Sequence, residues 1–154
     1  MTDTPTAGRF DGATHVLPMR VYYEDTDFTG VVYHANYLRY LERGRTDCLR
    51  LAGVEHQALW EGEEGIAFAI RKLAIEYLKP ARVDDALVVH TATARATGVR
   101  LVLRQWITRA ADTLIKAEVE AVAIGRDGRA KRPSDTLRER LLALLPLPPD
   151  SPEV

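Results

Sequence analysis

Sulfur is scarce in this chain: Cys48 is its one cysteine. A single thiol can close no internal disulfide and build no multi-cysteine zinc site, which suits a reducing compartment. Long hydrophobic runs are also missing, because Arg, Lys or Glu interrupts every apolar stretch before the ~20 residues needed to span a bilayer. The first twelve residues are polar, carry Asp3 and Asp11, and lack the apolar segment of a secretory signal. We therefore expect a cytoplasmic protein without a transmembrane segment, with peripheral docking at an inner membrane left open. Neither sign of charge prevails: 21 basic side chains stand against 22 acidic ones. No long-range field marks the chain as a nucleic-acid binder. No two of His15, His34, His56 and His90 have a metal-ligand spacing, so no metal is expected. There is no internal repeat and no linker.

What is present fits one domain, since 154 residues at 46% hydrophobic content can bury a core unaided. Residues 1–14 lack apolar periodicity and 146–154 are rich in proline and acid, so both read as flexible tails around a folded unit at 15–145. VLPMRVYY, residues 16–23, reads as a strand. From 35 to 52, Tyr37, Leu41, Gly44, Cys48 and Leu51 recur at spacings of a helical face, with Gly53 as its C-terminal cap. Gly44 on that face lowers helix propensity and implies close approach to a neighbouring backbone. The period then changes to two in segments around 66–78, 86–97, 99–109 and 114–125. Pro133 and Ser134 announce a closing helix, with Ser134 as N-cap and Leu137, Leu141, Leu144 and Leu145 on its apolar stripe.

The order is one strand, a long helix, four strands and a short helix, which is not the alternation of a parallel doubly wound fold. It predicts an α+β fold in which a five-stranded antiparallel sheet wraps one long central helix. One helix covers only part of such a sheet, so an edge strand remains for pairing with a second copy. A homo-oligomer, dimer or dimer of dimers, is expected.

Two segments carry a resemblance. VYYEDTDFTGVVYHANYLRYLERGRTDCLR, residues 21–50, and IRKLAIEYLKPARVDDAL, residues 70–87, closely resemble the hotdog thioesterases of the YbgC type. That family accompanies the bacterial Tol-Pal system and is related to the 4-hydroxybenzoyl-CoA thioesterases. The resemblance implies the hotdog fold and hydrolysis of acyl-CoA thioesters with short aliphatic or aromatic acyl groups. It needs no cofactor, coenzyme A being part of the substrate, and it brings acyl carrier protein and Tol-Pal components in as candidate partners. Asp27, the second acid of Asp25-Thr26-Asp27, matches the family's catalytic aspartate. By the same likeness a backbone N–H near His34 polarises the carbonyl, while the His34 imidazole and Tyr23 line the site. Phe28 and Thr29 replace small residues common in the family, which puts carry-over of an acyl preference in doubt.

The chemistry of the residues agrees. Thioester hydrolysis needs a nucleophile at the carbonyl carbon and a positive dipole where negative charge gathers. A carboxylate can act as general base for water or as direct nucleophile. A thiol with a pKa near ~8.5 leaves with little acid assistance. The helix entrance at Tyr33-His34-Ala35-Asn36 supplies unpaired N–H groups, and Gly30 lets the chain bend and a substrate come near. Arg100, with Arg104 and Lys72 behind it, is a candidate contact for coenzyme A phosphates. Each residue has a plainer reading. Asp-Thr-Asp before a helix is on spacing alone a structural turn, because Asp binds local backbone N–H groups; only the longer match outweighs this. His34 alone reads as a polar residue at a helix start, and Tyr22 and Tyr23 as strand residues. Glu42 sits where other hotdog lineages carry a catalytic carboxylate, but Arg45 and Thr46 beside it favour an intrahelical or interfacial pair. A non-catalytic binding protein of the same fold, and a hydratase or dehydratase, are the competing functions.

Overall fold

A period of two in the segments between 86 and 124, broken at short turns, favours three long antiparallel strands. They are β4 (Ala86–Thr97), β5 (Arg100–Arg109) and β6 (Asp112–Ile124). This computed structural model describes residues 3–145, 147–148 and 150–154. Met1, Thr2, Pro146 and Pro149, which fall in the expected tails, lie outside the described residues. Around the three strands are β1 (Arg9–Asp11), β2 (Thr14–Arg20) and β3 (Ala67–Tyr77), all antiparallel, in the spatial order β1-β2-β4-β5-β6-β3. The sheet thus has six strands, one more than expected. The addition is β1, whose three residues are too few for a period to show and which turns into β2 at Gly12, where φ is +62.

Leu87 and Val89 of β4, Leu101, Leu103 and Ile107 of β5, and Ile115, Ala117, Val119, Ala121 and Ala123 of β6 line the inner face and are buried. On that face lies the long helix α1 (Asn36–Leu51), as expected, burying Tyr37, Tyr40, Leu41, Gly44, Cys48 and Leu49. Each large apolar side chain sealed there contributes about 1.5–3 kcal/mol. Leu51, placed on the apolar stripe by spacing, is instead exposed, and Leu49 takes the buried position. At Gly44 the helix touches the sheet: a Cβ there would lie 2.7 Å from Val89 Cγ1 and 3.1 Å from Thr91 Oγ1.

After α1 comes a short helix, α2 (His56–Glu61), unforeseen because six residues hold fewer than two turns of periodicity. The closing helix α3 (Asp135–Leu142) is capped as expected, Leu137 N–H donating to Ser134 Oγ at 3.2 Å. β3 is an edge: β6 pairs with one side and no described strand pairs with the other. Phe68 and Ile70 lie opposite Ala123 and Ala121; past an irregularity at 70–72, Leu73, Ile75 and Tyr77 lie opposite Val119, Ala117 and Ile115. All five therefore face the helix side. Among the described residues no helix is long and apolar enough to cross a membrane.

Candidate active site

Beyond Arg20 the chain stops being a strand earlier than 16–23 implied. The Asp25 carboxylate accepts the N–H of Tyr22 at 2.8 Å and curls Tyr23–Asp25 into a single 3₁₀ turn. Thr26 and Val32 then pair across a tight turn: Asp27 N–H donates to Val31 O at 2.8 Å, and Gly30 N–H to Asp27 O at 3.1 Å. The turn needs φ of +85 at Gly30, a conformation that favours glycine. Asp27 Oδ1 accepts both the hydroxyl of Thr29, 2.6 Å, and its N–H, 2.8 Å. The Thr29 hydroxyl first, and then its N–H, hold the Asp27 carboxyl below the usual carboxylate range. It is ionised at neutral pH. Oδ2 accepts from no described residue, so its lone pairs are available.

The Asp25 carbonyl fastens this turn to the entrance of α1, accepting Tyr33 N–H at 2.9 Å and Asn36 Nδ2 at 2.8 Å. Ala35, at the N-cap position, offers no capping side chain. The N–H groups of His34 and Ala35 donate to no described residue, leaving two unsatisfied dipoles at the positive end of the helix. The carbonyl of His34 accepts the hydroxyl of Tyr77 at 3.2 Å, so the end of β3 supports the helix start. The His34 ring packs on Tyr33 with centroids 4.5 Å apart and meets Tyr77 edge-on at 6.4 Å. An open cleft of about 290 Å³ lies there, lined by Val32, His34, Tyr37, Tyr77, Leu78, Lys79 and Pro80. Asp27 does not line this cleft in the single chain.

Asp27, Gly30, Tyr33 and His34 are thus joined in one hydrogen-bonded unit. Tyr23 belongs to the preceding 3₁₀ turn and is 88% exposed, and no described hydrogen bond or ring contact carries its side chain toward Asp27. Phe28 stands fully in solvent and covers nothing in the single chain. Arg100 lies opposite Val122, and Val122 opposite Ala69 near the start of β3, whereas the Asp27 unit adjoins the end of β3 at Tyr77. It faces Glu120 across 3.5 Å at the far end of the sheet. Tyr40, buried beneath the turn, is pushed up by burial and by the Asp25 carboxylate.

Two polar groups in the interior were not singled out by the sequence. His15, fully buried, bonds through Nε2 to Asp47 Oδ2 at 2.7 Å and ties β2 to α1. Gln105, also fully buried, binds α1 and β4 together. The one sequence signal for it is an amide at an inward position between Leu103 and Ile107.

Comparisons with known proteins agree with this architecture. The thioesterase superfamily model matches residues 29–116, beginning two residues past Asp27. The chain is 47% identical over 108 residues to the acyl-CoA thioester hydrolase YbgC of Escherichia coli O157:H7, covering 70% of this chain and 79% of that protein. It is 43% identical over 108 residues to the acyl-CoA thioesterase YbgC of Haemophilus influenzae, with the same coverage. The crystal structure of a probable thioesterase from Bartonella henselae superposes with a TM-score of 0.76 at 38% identity, over 79% of this chain and 99% of that one. An antiparallel sheet around one long helix, the 21–50 motif at the helix entrance and these matches place the chain in the thioesterase superfamily, with the hotdog fold.

Proposed function

We propose that this protein hydrolyses acyl-CoA thioesters, with Asp27 as its catalytic carboxylate and the N–H groups of His34 and Ala35 as the oxyanion hole. The observation that carries the reading is the Asp25 carbonyl clamp. It ties the turn that carries the ionised Asp27 to the start of α1, where the N–H groups of His34 and Ala35 donate to no described residue. A thioester carbonyl accepting those two N–H groups gains most where charge builds on its oxygen, in the tetrahedral transition state. Asp27 Oδ2 then either takes a proton from the attacking water or attacks the carbonyl carbon itself, forming an anhydride that water opens. Both routes yield the free acid and the thiol of coenzyme A. His34 and Tyr33 form a wall of the site, and Tyr23 needs a ligand or a second copy to reach it.

A second copy is part of this proposal. Asp27 is only partly covered in the single chain, and β3 offers eleven residues of unpaired edge ending at the helix entrance. Two-fold antiparallel pairing of β3 would extend the sheet across both copies and wall in each Asp27. Ile70, 47% exposed, would be buried by it. The test is release of free thiol from a panel of acyl-CoAs, with the acyl product identified by mass spectrometry. Free acid and coenzyme A support the proposal. An intact thioester with an altered acyl chain would assign a hydratase, and binding without turnover a non-catalytic protein.

A further inference from the structure

The two N–H groups at the entrance of α1 that donate to no described residue, those of His34 and Ala35, are aimed by different means. Each belongs to a planar trans peptide whose carbonyl points the opposite way, so whatever pins the carbonyl also directs the N–H. The N–H of His34 shares its peptide with Tyr33 O, which accepts Asn36 N–H at 2.8 Å inside the same turn. The N–H of Ala35 shares its peptide with His34 O. In an α-helix starting here, Leu38 N–H would reach back to that oxygen. It donates instead to Ala35 O at 3.2 Å, a tighter bond of the 3₁₀ kind, and leaves His34 O out of the helix ladder. The described donor that meets His34 O is the hydroxyl of Tyr77, 3.2 Å away and 43 residues on along the chain.

Tyr77 is itself held where it can do this. Its ring meets Tyr37 at 5.8 Å and His34 at 6.4 Å, both edge-on. Tyr37 is buried, and its hydroxyl accepts Ala81 N–H at 3.0 Å, so the ring on which Tyr77 leans belongs to the core. The Tyr77 side needs no such bond for its own sake. The residue is 47% exposed, and water can satisfy a hydroxyl there. The consequence of the bond is therefore the orientation of one peptide more than the stability of the fold.

We propose that Tyr77 is a positioning residue for thioester hydrolysis, which fixes the His34–Ala35 peptide through its carbonyl and so aims the Ala35 N–H at the carbonyl oxygen of the substrate. The inference rests on the thioesterase reading and on the oxyanion role given there to Ala35, and it holds whether or not β3 pairs with a second copy. Two effects act together. The hydrogen bond at His34 O keeps the peptide plane from turning, and it polarises the peptide, which makes the N–H at its other side a stronger donor. Both count most where negative charge gathers on the substrate oxygen, so they belong to the transition state more than to substrate binding. Tyr77 acts on the reaction only through this peptide.

The test is Tyr77→Phe, which removes the hydroxyl and keeps the ring on Tyr37, assayed with butyryl-CoA and benzoyl-CoA as one aliphatic and one aromatic thioester. Loss of a whole oxyanion donor costs about 100- to 1000-fold in kcat. A donor that stays but loses its aim should cost less, about tenfold or more in kcat, with KM changed by less than about threefold. The unfolding temperature should stay close to that of wild type, since water can replace the hydroxyl at His34 O. A readout independent of turnover is the carbonyl stretch of butyryl-CoA bound to Asp27→Asn, isolated as the infrared difference between carbon-13 and unlabelled carbonyl. Hydrogen bonding weakens a C=O bond, so the band should lie below its position in free butyryl-CoA. Adding Tyr77→Phe should move it back up and broaden it. A kcat within about twofold of wild type, a loss carried by KM alone, or a carbonyl band that stays in place when Tyr77→Phe is added each overturns the inference. If wild type releases thiol from no acyl-CoA of the panel, the thioesterase reading fails first and takes this inference with it.

Discussion

Replacing Gln105 with leucine removes three hydrogen bonds from the centre of the molecule while keeping its volume. The consequences differ by partner. Leu41 O retains its place in the helix, and Arg45, only partly buried, can turn toward water. Thr91 is fully buried, and its hydroxyl loses a donor with no water to replace it, which costs about 1–3 kcal/mol. We take a net loss of roughly 2 kcal/mol, which in a domain of this size lowers Tm by about 4–8 °C. The assay is thermal and urea unfolding followed by circular dichroism, at one protein concentration because an oligomer's Tm depends on it. A double-mutant cycle isolates the cause. Thr91→Val should cost about 1 kcal/mol in the wild type, where it strands an amide hydrogen, and almost nothing in Gln105→Leu, where it removes the stranded hydroxyl. If Gln105→Leu unfolds no earlier than wild type, or if Thr91→Val costs the same in both backgrounds, the buried amide does not hold helix to sheet as described.

Three further outcomes follow from the geometry. Thr29 stabilises the ionised form of Asp27, so the acid limb of the pH–rate profile should lie below the usual carboxylate range, and Thr29→Ala should move it upward; a limb that stays in place would show that Asp27 does not set it. Burial pushes the Cys48 thiol up to about 12, so a thiol reagent near neutral pH should label it only after unfolding, and labelling at the rate of a free thiol would contradict its placement on the buried face of α1. Ile70→Glu should place a charge in the β3 pairing and give monomers by light scattering with thiol release reduced at least about tenfold; full activity in a monomer would show that one chain suffices.

How much of this was legible in the sequence depended on length and on chain separation. α1 and the strands β3 to β6 declared themselves because each repeats its period many times, and their bounds fall within one or two residues of those expected. β1 and α2 did not, being too short for a repeat. Aromatic residues favour strands, so propensity alone makes Tyr23 a strand residue. The Asp25 carboxylate, a local acceptor that a propensity argument passes over, turns the chain before Tyr23 is reached. Asp27 stood out only through the extended match from 21 to 50, since the Asp-Thr-Asp triplet alone describes any turn. Its position relative to the helix mouth depends on one carbonyl, that of Asp25, and backbone acceptors leave no trace in a sequence. The Arg45–Gln105 contact joins residues sixty apart, a pairing that one sequence without relatives cannot show.

Asp27→Asn is the substitution that bears most directly on the account, because it keeps the shape of the turn and an acceptor for Thr29 while removing the charge. With acyl-CoA in excess, thiol release followed continuously should fall by at least about a thousandfold, as expected when a nucleophile or general base is lost, while the unfolding curve stays close to that of wild type. A variant that folds normally and releases thiol at the wild-type rate would mean that the thioester is cleaved by some other group, and that the Asp27 carboxylate beside the helix entrance is only a turn.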